Sequence, residues 1–359
     1  MSAHEILIYI MAAFAVLGAV DRILGNRLGL GKEFEDGILA MGSLAMAMLG
    51  IIALAPVLAN LLRPVVVPVY AFLGADAAMF AGTILACDMG GASLARELTA
   101  DPQAAALGGV IAGSMLGATI VFTIPVAMGI LRPEDQPAMA KGILAGIVTI
   151  PVGILAGGLT AGFPIVMILR NLIPIVVIAA LIALGLWKAE KWMIKGFGVF
   201  GKLIIAVITV GLAAAIVESL TGRTLIPGMA PIEDGFLTVG AIAIVLAGAF
   251  PLVFLVTKLL RRPLMKLGRL LGINEVAAGG LVASLANSIA TFGMVKDMDN
   301  RGKVVNIAFA VSAAFVFGDH LGFTAGFAPE MLPAVIVGKL AGGVSAVVVA
   351  LWLTKKEKA

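Results

Sequence analysis

The chain has 359 residues, 61% of them apolar and 13% charged, with 44 glycines and a mean hydropathy of +1.12. A soluble domain is nearer 45–50% apolar and about 25% charged, which excludes a soluble enzyme, a nucleic-acid binder and a disordered scaffold. The formal charge of +4 sits on lysines and arginines in short loops between apolar runs, where such residues fix membrane orientation; the solvent is a lipid bilayer.

Apolar runs follow one another at about 5–21, 37–60, 76–96, 104–131, 139–162, 164–187, 196–218, 236–258, 276–295, 303–327 and 331–353. A crossing needs about 20 residues, and lipid leaves no partner for open backbone groups, so the runs are helices of one transmembrane domain, 1–359. The first run has no basic stretch before it and reads as a retained helix rather than a signal peptide. Cys87 is the single cysteine, so no disulfide can close within the chain. Pairs such as Gly113–Gly117, Gly142–Gly146 and Gly338–Gly342 have the four-residue spacing of closely packed membrane helices.

A repeat emerges at an offset of 198. Glu35-Asp36-Gly37-Ile38-Leu39 then lies over Glu233-Asp234-Gly235-Phe236-Leu237, and seven of the sixteen pairs from 35/233 to 50/248 are identical. The same offset superposes Leu61-Leu62-Arg63 on Leu259-Leu260-Arg261, Gly82 on Gly280 and Ser114 on Ser312. Repeats at about 34–131 and 232–327 suit a transporter, in which the solute lies between two halves.

Loop charge sets the expected topology. Lys plus Arg number three in 22–32, four in 188–202, five in 258–269, three in 296–303 and three in 355–358, against none in 97–103 and 328–333. If every run crosses, the clusters at 258–269 and 296–303 fall on opposite sides, against the positive-inside rule. The conflict disappears if 276–295 enters and leaves on one side as a re-entrant hairpin. Its repeat partner, 76–96, is interrupted at Cys87-Asp88-Met89-Gly90-Gly91. The expectation is an all-α polytopic bundle of nine crossings plus two re-entrant hairpins, with inverted repeats, the N-terminus outside and the C-terminus cytoplasmic. Eleven full helices with a parallel repeat are the alternative.

An ionisable group deep in an apolar run is a candidate for function. Asp88 lies in TILACDMGGASL; Asp319 and His320 lie in AFVFGDHLGFTAG. Asp88 also suits a helix N-cap, and the Asp319-His320 pair suits a lock between helices, with Lys339 an available partner for Asp319. His320 can relay protons. Asn287 and Ser288, with Ser284, break the second hairpin stretch, and Ser114 and Thr119 lie in GSMLGATIVFTIP; such groups also satisfy helix carbonyls in lipid. Together with Cys87 these are the candidate solute-binding residues. Two histidines far apart in sequence, and no recurring ligand spacing, argue against a metal. No P-loop, H-E-x-x-H motif or nucleophile elbow is present, so no cofactor and no catalysis are expected. Buried carboxylates favour a small cationic or amine solute, with Phe80, Phe122, Phe292 and Phe315 available for cation–π contacts.

Several stretches resemble the bacterial ethanolamine permease family of the ethanolamine-utilisation pathway. They include Ala86-Cys87-Asp88-Met89-Gly90-Gly91, Gly113-Ser114-Met115 with Thr119-Ile120-Val121-Phe122, Met298-Asp299-Asn300-Arg301-Gly302-Lys303, and Gly318-Asp319-His320-Leu321-Gly322-Phe323. The resemblance runs nearly end to end. It departs from the family pattern in short loops at 161–165 and 222–235, and at Ala286-Asn287-Ser288-Ile289-Ala290, where the family has a second Asn and a Pro. It implies uptake of ethanolamine across the cytoplasmic membrane, feeding a cobalamin-dependent ammonia-lyase, and brings no catalytic residues with it. From the residues themselves, Asp88 and Asp319 are expected to face a shared cavity with at least one on the ammonium, and Asn287, Ser288 or Thr119 on the hydroxyl. A carrier of another small amine coupled to H+ or Na+, a passive channel, and an intramembrane enzyme using Asp319-His320 as an acid–base pair are the competing readings. A homo-oligomer is left open.

Overall fold

The computed structural model describes residues 2–355, and for residues 260–262, 264, 265, 267 and 269 the backbone alone. Arg261, Arg262 and Arg269, and the tail beyond Lys355, thus lie outside the described side chains. The described residues form fifteen α-helices, several 3-10 turns and two π-helical segments, with no strand among them. Seven helical stretches are long and apolar enough to cross a membrane.

Helix α1 (Ala3–Ile23) starts at a capping box in which Ser2 and Glu5 satisfy each other's backbone amides. Asp21 ends it, accepting from the amides of Leu28 at 2.9 Å and Gly31 at 3.0 Å across a turn with left-handed Gly25 and Asn26. Helix α2 (Leu30–Phe72) has 43 residues, about 65 Å at 1.5 Å each, twice the hydrocarbon thickness of about 30 Å. It runs antiparallel to α10 (Ile232–Leu271): Gly37 meets the Leu246 backbone and Gly235 meets Leu49. Glycine is required at position 37 because a Cβ there would collide with that backbone.

The first hairpin follows α2 in the chain. Helix α3 (Ala78–Ile84) and helix α4 (Gly91–Leu98) are joined through extended Leu85 and a 3-10 turn over Cys87–Met89. They are antiparallel and their bases meet: Thr99 donates to the Asp76 carboxylate at 2.8 Å, and the Asp76 amide donates to Asn171 at 2.7 Å. Both arms pack on the next stretch, which comprises α5 (Pro102–Ala105), π-helix over Ala106–Gly117 and Thr119–Thr123, and α6 (Ile124–Ile130). Its glycines permit this. Gly108 abuts Ala78, Gly109 abuts Ala92, and Gly117 abuts the Leu85 carbonyl, where the hairpin turns.

Helices α7 (Gln136–Ile147) and α8 (Ile150–Thr160) return through a break at Thr149. Helix α9 (Ile165–Thr221) joins two apolar runs in one element, bent at Ala189 (φ −142°, ψ 44°). The bend is sharp, since Gly185 and Met193 are in contact although eight residues apart.

The second hairpin pairs α11 (Glu275–Ala286) with α12 (Ser288–Met294) across an extended Asn287, whose side chain caps the Ile289 amide at 2.7 Å. Its bases also meet: the Asn274 amide donates to Asp299 at 2.8 Å and its side chain to the Asp297 carbonyl at 3.0 Å. Helices α13 (Asn300–Ala313) and α14 (Asp319–Phe327) form a broken traverse, and α15 (Leu332–Leu353) packs on α8 and α13.

The two hairpins open toward opposite ends of the bundle. At one end the first hairpin's Arg96 donates to the Phe327 carbonyl at 3.2 Å, at the exit of α14. At the other, Lys303 near the start of α13 pairs with Asp135 at the start of α7, next to the base of the second hairpin. The α13–α14 traverse therefore links the two hairpin bases from end to end. Element bounds recur at the offset of 198 residues: α3 against α11, α4 against α12, and the stretch from 102 against that from 300.

Candidate functional site

Three interruptions meet in the middle of the bundle. The tip of the first hairpin brings Ala86, Asp88 and Met89; the π-helical stretch brings Ala118 and Phe122; the break between α13 and α14 brings Phe315, Asp319 and His320. They enclose a cavity of about 40 Å³. A water needs roughly 10–15 Å³ by this measure, so the space suits about three waters or a solute of a few heavy atoms.

The local backbone explains why these side chains point inward. Gly90, at φ 88°, turns the chain back after Asp88. Phe315 is left-handed at φ 63°, strain of about 1–3 kcal/mol for a non-glycine residue. It is held there because its amide donates to the Ser284 carbonyl at 3.1 Å and the Phe317 amide donates to Leu285 at 2.9 Å. Ring packing completes one wall: Phe122 meets Phe315 edge-on at 5.4 Å, and Phe315 meets His320 at 5.3 Å.

Polar contacts inside the wall are few. His320 Nε2 lies 3.7 Å from the Asp88 carboxylate, and Nδ1 is buried with no partner among the described residues. Cys87, also buried, has its thiol 4.0 Å from Asp88. Lys339, 1% exposed, donates to the Ser114 carbonyl at 2.6 Å and lies within electrostatic reach of Asp88 and Cys87. Lys339 was available in sequence as a partner for Asp319; its observed partner is the Ser114 carbonyl, which projects from the π-helical segment.

The remaining candidates distribute as follows. Asp319 also lines a second cavity, of about 280 Å³, with Glu33, Phe254, Thr257 and Asn287. Asn287 thus sits beside Asp319 but outside the central cavity. The Thr119 hydroxyl donates to the carbonyls of Met115 at 2.7 Å and Val311 at 3.0 Å, and that of Ser114 to Ile111 at 2.9 Å. Both are thus engaged with backbone. Ser288 is buried with its hydroxyl unpartnered among the described residues, while Ser284 pairs with Thr291 at 2.8 Å. Phe80 packs edge-on against Tyr70 at 6.2 Å, and Phe292 is buried.

Glu33 is a lining residue that sequence reading passed over, because it lies in the first turn of α2, where an acid is ordinary. Lys339 had a visible signal, as the lone charge in Leu332–Leu353.

An all-helical membrane bundle with hairpins from opposite ends, a carboxylate-lined chamber at the tip of the first and a second cavity, sharing Asp319, at the tip of the other has the architecture of a solute carrier. The chain matches the family described as "Ethanolamine utilisation protein, EutH" over residues 3–353, and it belongs to that family. It is 60% identical over 363 aligned positions to a protein of Listeria monocytogenes named "Probable ethanolamine permease EutH", covering 100% of this chain and 97% of the relative. A Salmonella typhimurium protein of the same name is 50% identical over 397 aligned positions, again with 100% and 97% coverage. An uncharacterised Bacillus subtilis protein, YxeR, is 53% identical with the same coverage. No solved structure matches.

Proposed function

We propose that the protein is a carrier that imports ethanolamine as its ammonium form across the cytoplasmic membrane, with the ammonium held at Asp88 in the central cavity. The observation that carries this is the charge of the cavity. Asp88 and Asp319 line it, and Lys339 lies within electrostatic reach. With those three groups ionised and the imidazole neutral, the cluster holds one net negative charge, which one ammonium cancels. A carboxylate–ammonium pair at about 4 Å is worth about 4 kcal/mol at an effective dielectric near 20. The phenyl faces of Phe122 and Phe315 add cation–π attraction. That wall favours an organic cation over Na+, which requires several oxygen ligands. The permease names of relatives at 50–60% identity support transport rather than catalysis.

The repeats at 34–131 and 232–327 are read as inverted halves, each contributing a hairpin and a broken or π-helical traverse. The recurrence of element bounds and the opposed hairpins support this. The end bearing Asp297, Lys303 and the second hairpin base is placed on the cytoplasmic side, since Lys188, Lys296, Arg301 and Lys355 cluster there, and the N-terminus lies outside. Asp319, shared by the central cavity and the one reaching Glu33, is the hand-over point toward that side.

The test is uptake of radiolabelled ethanolamine into proteoliposomes at two pH values, with choline and serine as competitors. Saturable uptake that exceeds protein-free leak most at the lower pH is expected. A rate that stays linear in concentration, or equal competition by serine, overturns the reading.

A further inference from the structure

Sequence spacing gave no reason to expect a metal, yet folding gathers three metal-ligating side chains of different chemistry. Cys87 Sγ, an Asp88 oxygen and a His320 ring nitrogen all lie within 4.8 Å of one another. The histidine is 233 residues from the cysteine in sequence, so no motif announces the cluster. We propose that Cys87, Asp88 and His320 form a binding site for a thiophilic divalent cation such as Zn2+, overlapping the position of the amine.

Geometry supports a site close to preformed. Ligand atoms on a tetrahedral zinc are about 3.5 Å apart, given Zn–S near 2.3 Å and Zn–N near 2.0 Å. The separations here are 3.7 Å from His320 to Asp88, 4.0 Å from Cys87 to Asp88 and within 4.8 Å from Cys87 to His320, somewhat wider than that edge, so binding a metal draws the three together. The ring nitrogen that faces Asp88 is Nε2, which makes no hydrogen bond there at 3.7 Å, and both Asp88 and His320 line the cavity. Asp88 and His320 line the cavity while Cys87 is buried beside Asp88, so the fourth coordination position is the one open to water from the cavity, as in metal sites that exchange ligands.

Ligand chemistry sets the class. A thiolate with an imidazole and one carboxylate matches zinc and its congeners, and not Mg2+ or Ca2+, which take oxygen shells. Charge agrees: on binding, the Cys87 S–H bond breaks, a sulfur–metal bond forms, and the proton leaves to bulk solvent. The thiolate and the Asp88 carboxylate then balance a divalent ion, where the thiol and the carboxylate balance a monovalent one. The same pocket so accepts either guest, one at a time.

The overlap with the amine rests on the transport reading above, whereas the metal site does not, and the experiment separates them. Tag-free full-length protein in detergent is titrated with Co2+ as a spectroscopic probe. One equivalent giving tetrahedral visible bands with a thiolate-to-cobalt charge-transfer band, displaced by Zn2+, is expected. The charge-transfer band should vanish in Cys87→Ser, and the visible bands should shift or weaken at least tenfold in affinity in His320→Gln. An absent charge-transfer band in the unaltered, monodisperse protein, or spectra unchanged in both variants, overturns the site. In proteoliposomes, Zn2+ should inhibit ethanolamine uptake, and Cys87→Ser should raise the half-inhibiting concentration at least tenfold relative to its own zinc-free rate. Cobalt bands without any zinc inhibition uphold the metal site and overturn the placement of the amine at Asp88.

Discussion

Replacing Asp88 by Asn removes the charge and keeps the side-chain volume, which makes it the sharpest probe of the central cavity. The Asp88 side chain is 16% exposed, so solvent screens its pairing with an ammonium only slightly. The gross attraction of about 4 kcal/mol at close approach is reduced because asparagine still offers a carbonyl, worth about 1 kcal/mol as a hydrogen bond. It is reduced again by Lys339, which partly offsets Asp88 in the native protein. A net loss of about 2–3 kcal/mol remains, equivalent to a 30- to 150-fold weakening at about 1.4 kcal/mol per decade. Initial uptake of labelled ethanolamine into proteoliposomes, measured well below saturation at pH 6 and 7, should fall by about that factor, with KM carrying most of the change. Asp88→Glu should recover part of it. An Asp88→Asn protein that elutes monodisperse and transports within twofold of the parent would refute the charge argument.

Thr119→Val should leave KM within twofold, because its hydroxyl is engaged with the Met115 and Val311 carbonyls. Its effect should be a lower Tm from losing a buried membrane hydrogen bond worth about 0.6 kcal/mol. Phe122→Ala removes one aromatic wall of the cavity, and KM should rise by about 2- to 30-fold, the range for a cation–π contact of about 0.5–2 kcal/mol; an unchanged KM would place the ammonium elsewhere. Lys339→Met keeps an unbranched side chain but removes the positive charge near Asp88; KM for ethanolamine should fall about threefold or more as the cavity becomes more negative, and a rise would contradict the charge count. In a Cys87→Ser background, Thr99→Cys and Asp297→Cys mark the bases of the two hairpins. A membrane-impermeant thiol reagent should reach the first from outside and the second only from the cytoplasmic side; labelling of both from one side would end the inverted arrangement.

Much of the architecture could be read from where basic charge lies. The basic clusters at 258–269 and 296–303 would fall on opposite sides if every run crossed, and both stretches suspected on that ground, 76–96 and 276–295, do reverse within the bundle. Asp88, Asp319 and His320 stood out because each interrupts an apolar run, and they converge on one cavity. Other features were invisible for physical reasons. The π-helical wind over Ala106–Gly117 arises where glycines let two backbones touch, a tertiary effect without a local signature. The runs 164–187 and 196–218 do stay separate helical arms of α9, but the sharp kink between them at Ala189 has no glycine or proline to announce it. Thr119 and Ser114 looked equally available in sequence, and only the fold reveals that their hydroxyls are already engaged.

The two main-chain bonds that tie Phe315 and Phe317 to the turn of the second hairpin constrain how this protein can move. A hinge there cannot swing freely, because the imidazole-bearing helix is stitched to it three and five residues away from His320. Displacing that hairpin must tug the ring out of register with Asp88, so opening the passage and loosening the grip on the cargo become a single event. Substitutions at Ser284 or Leu285, remote from any cargo, should then register as changes in affinity.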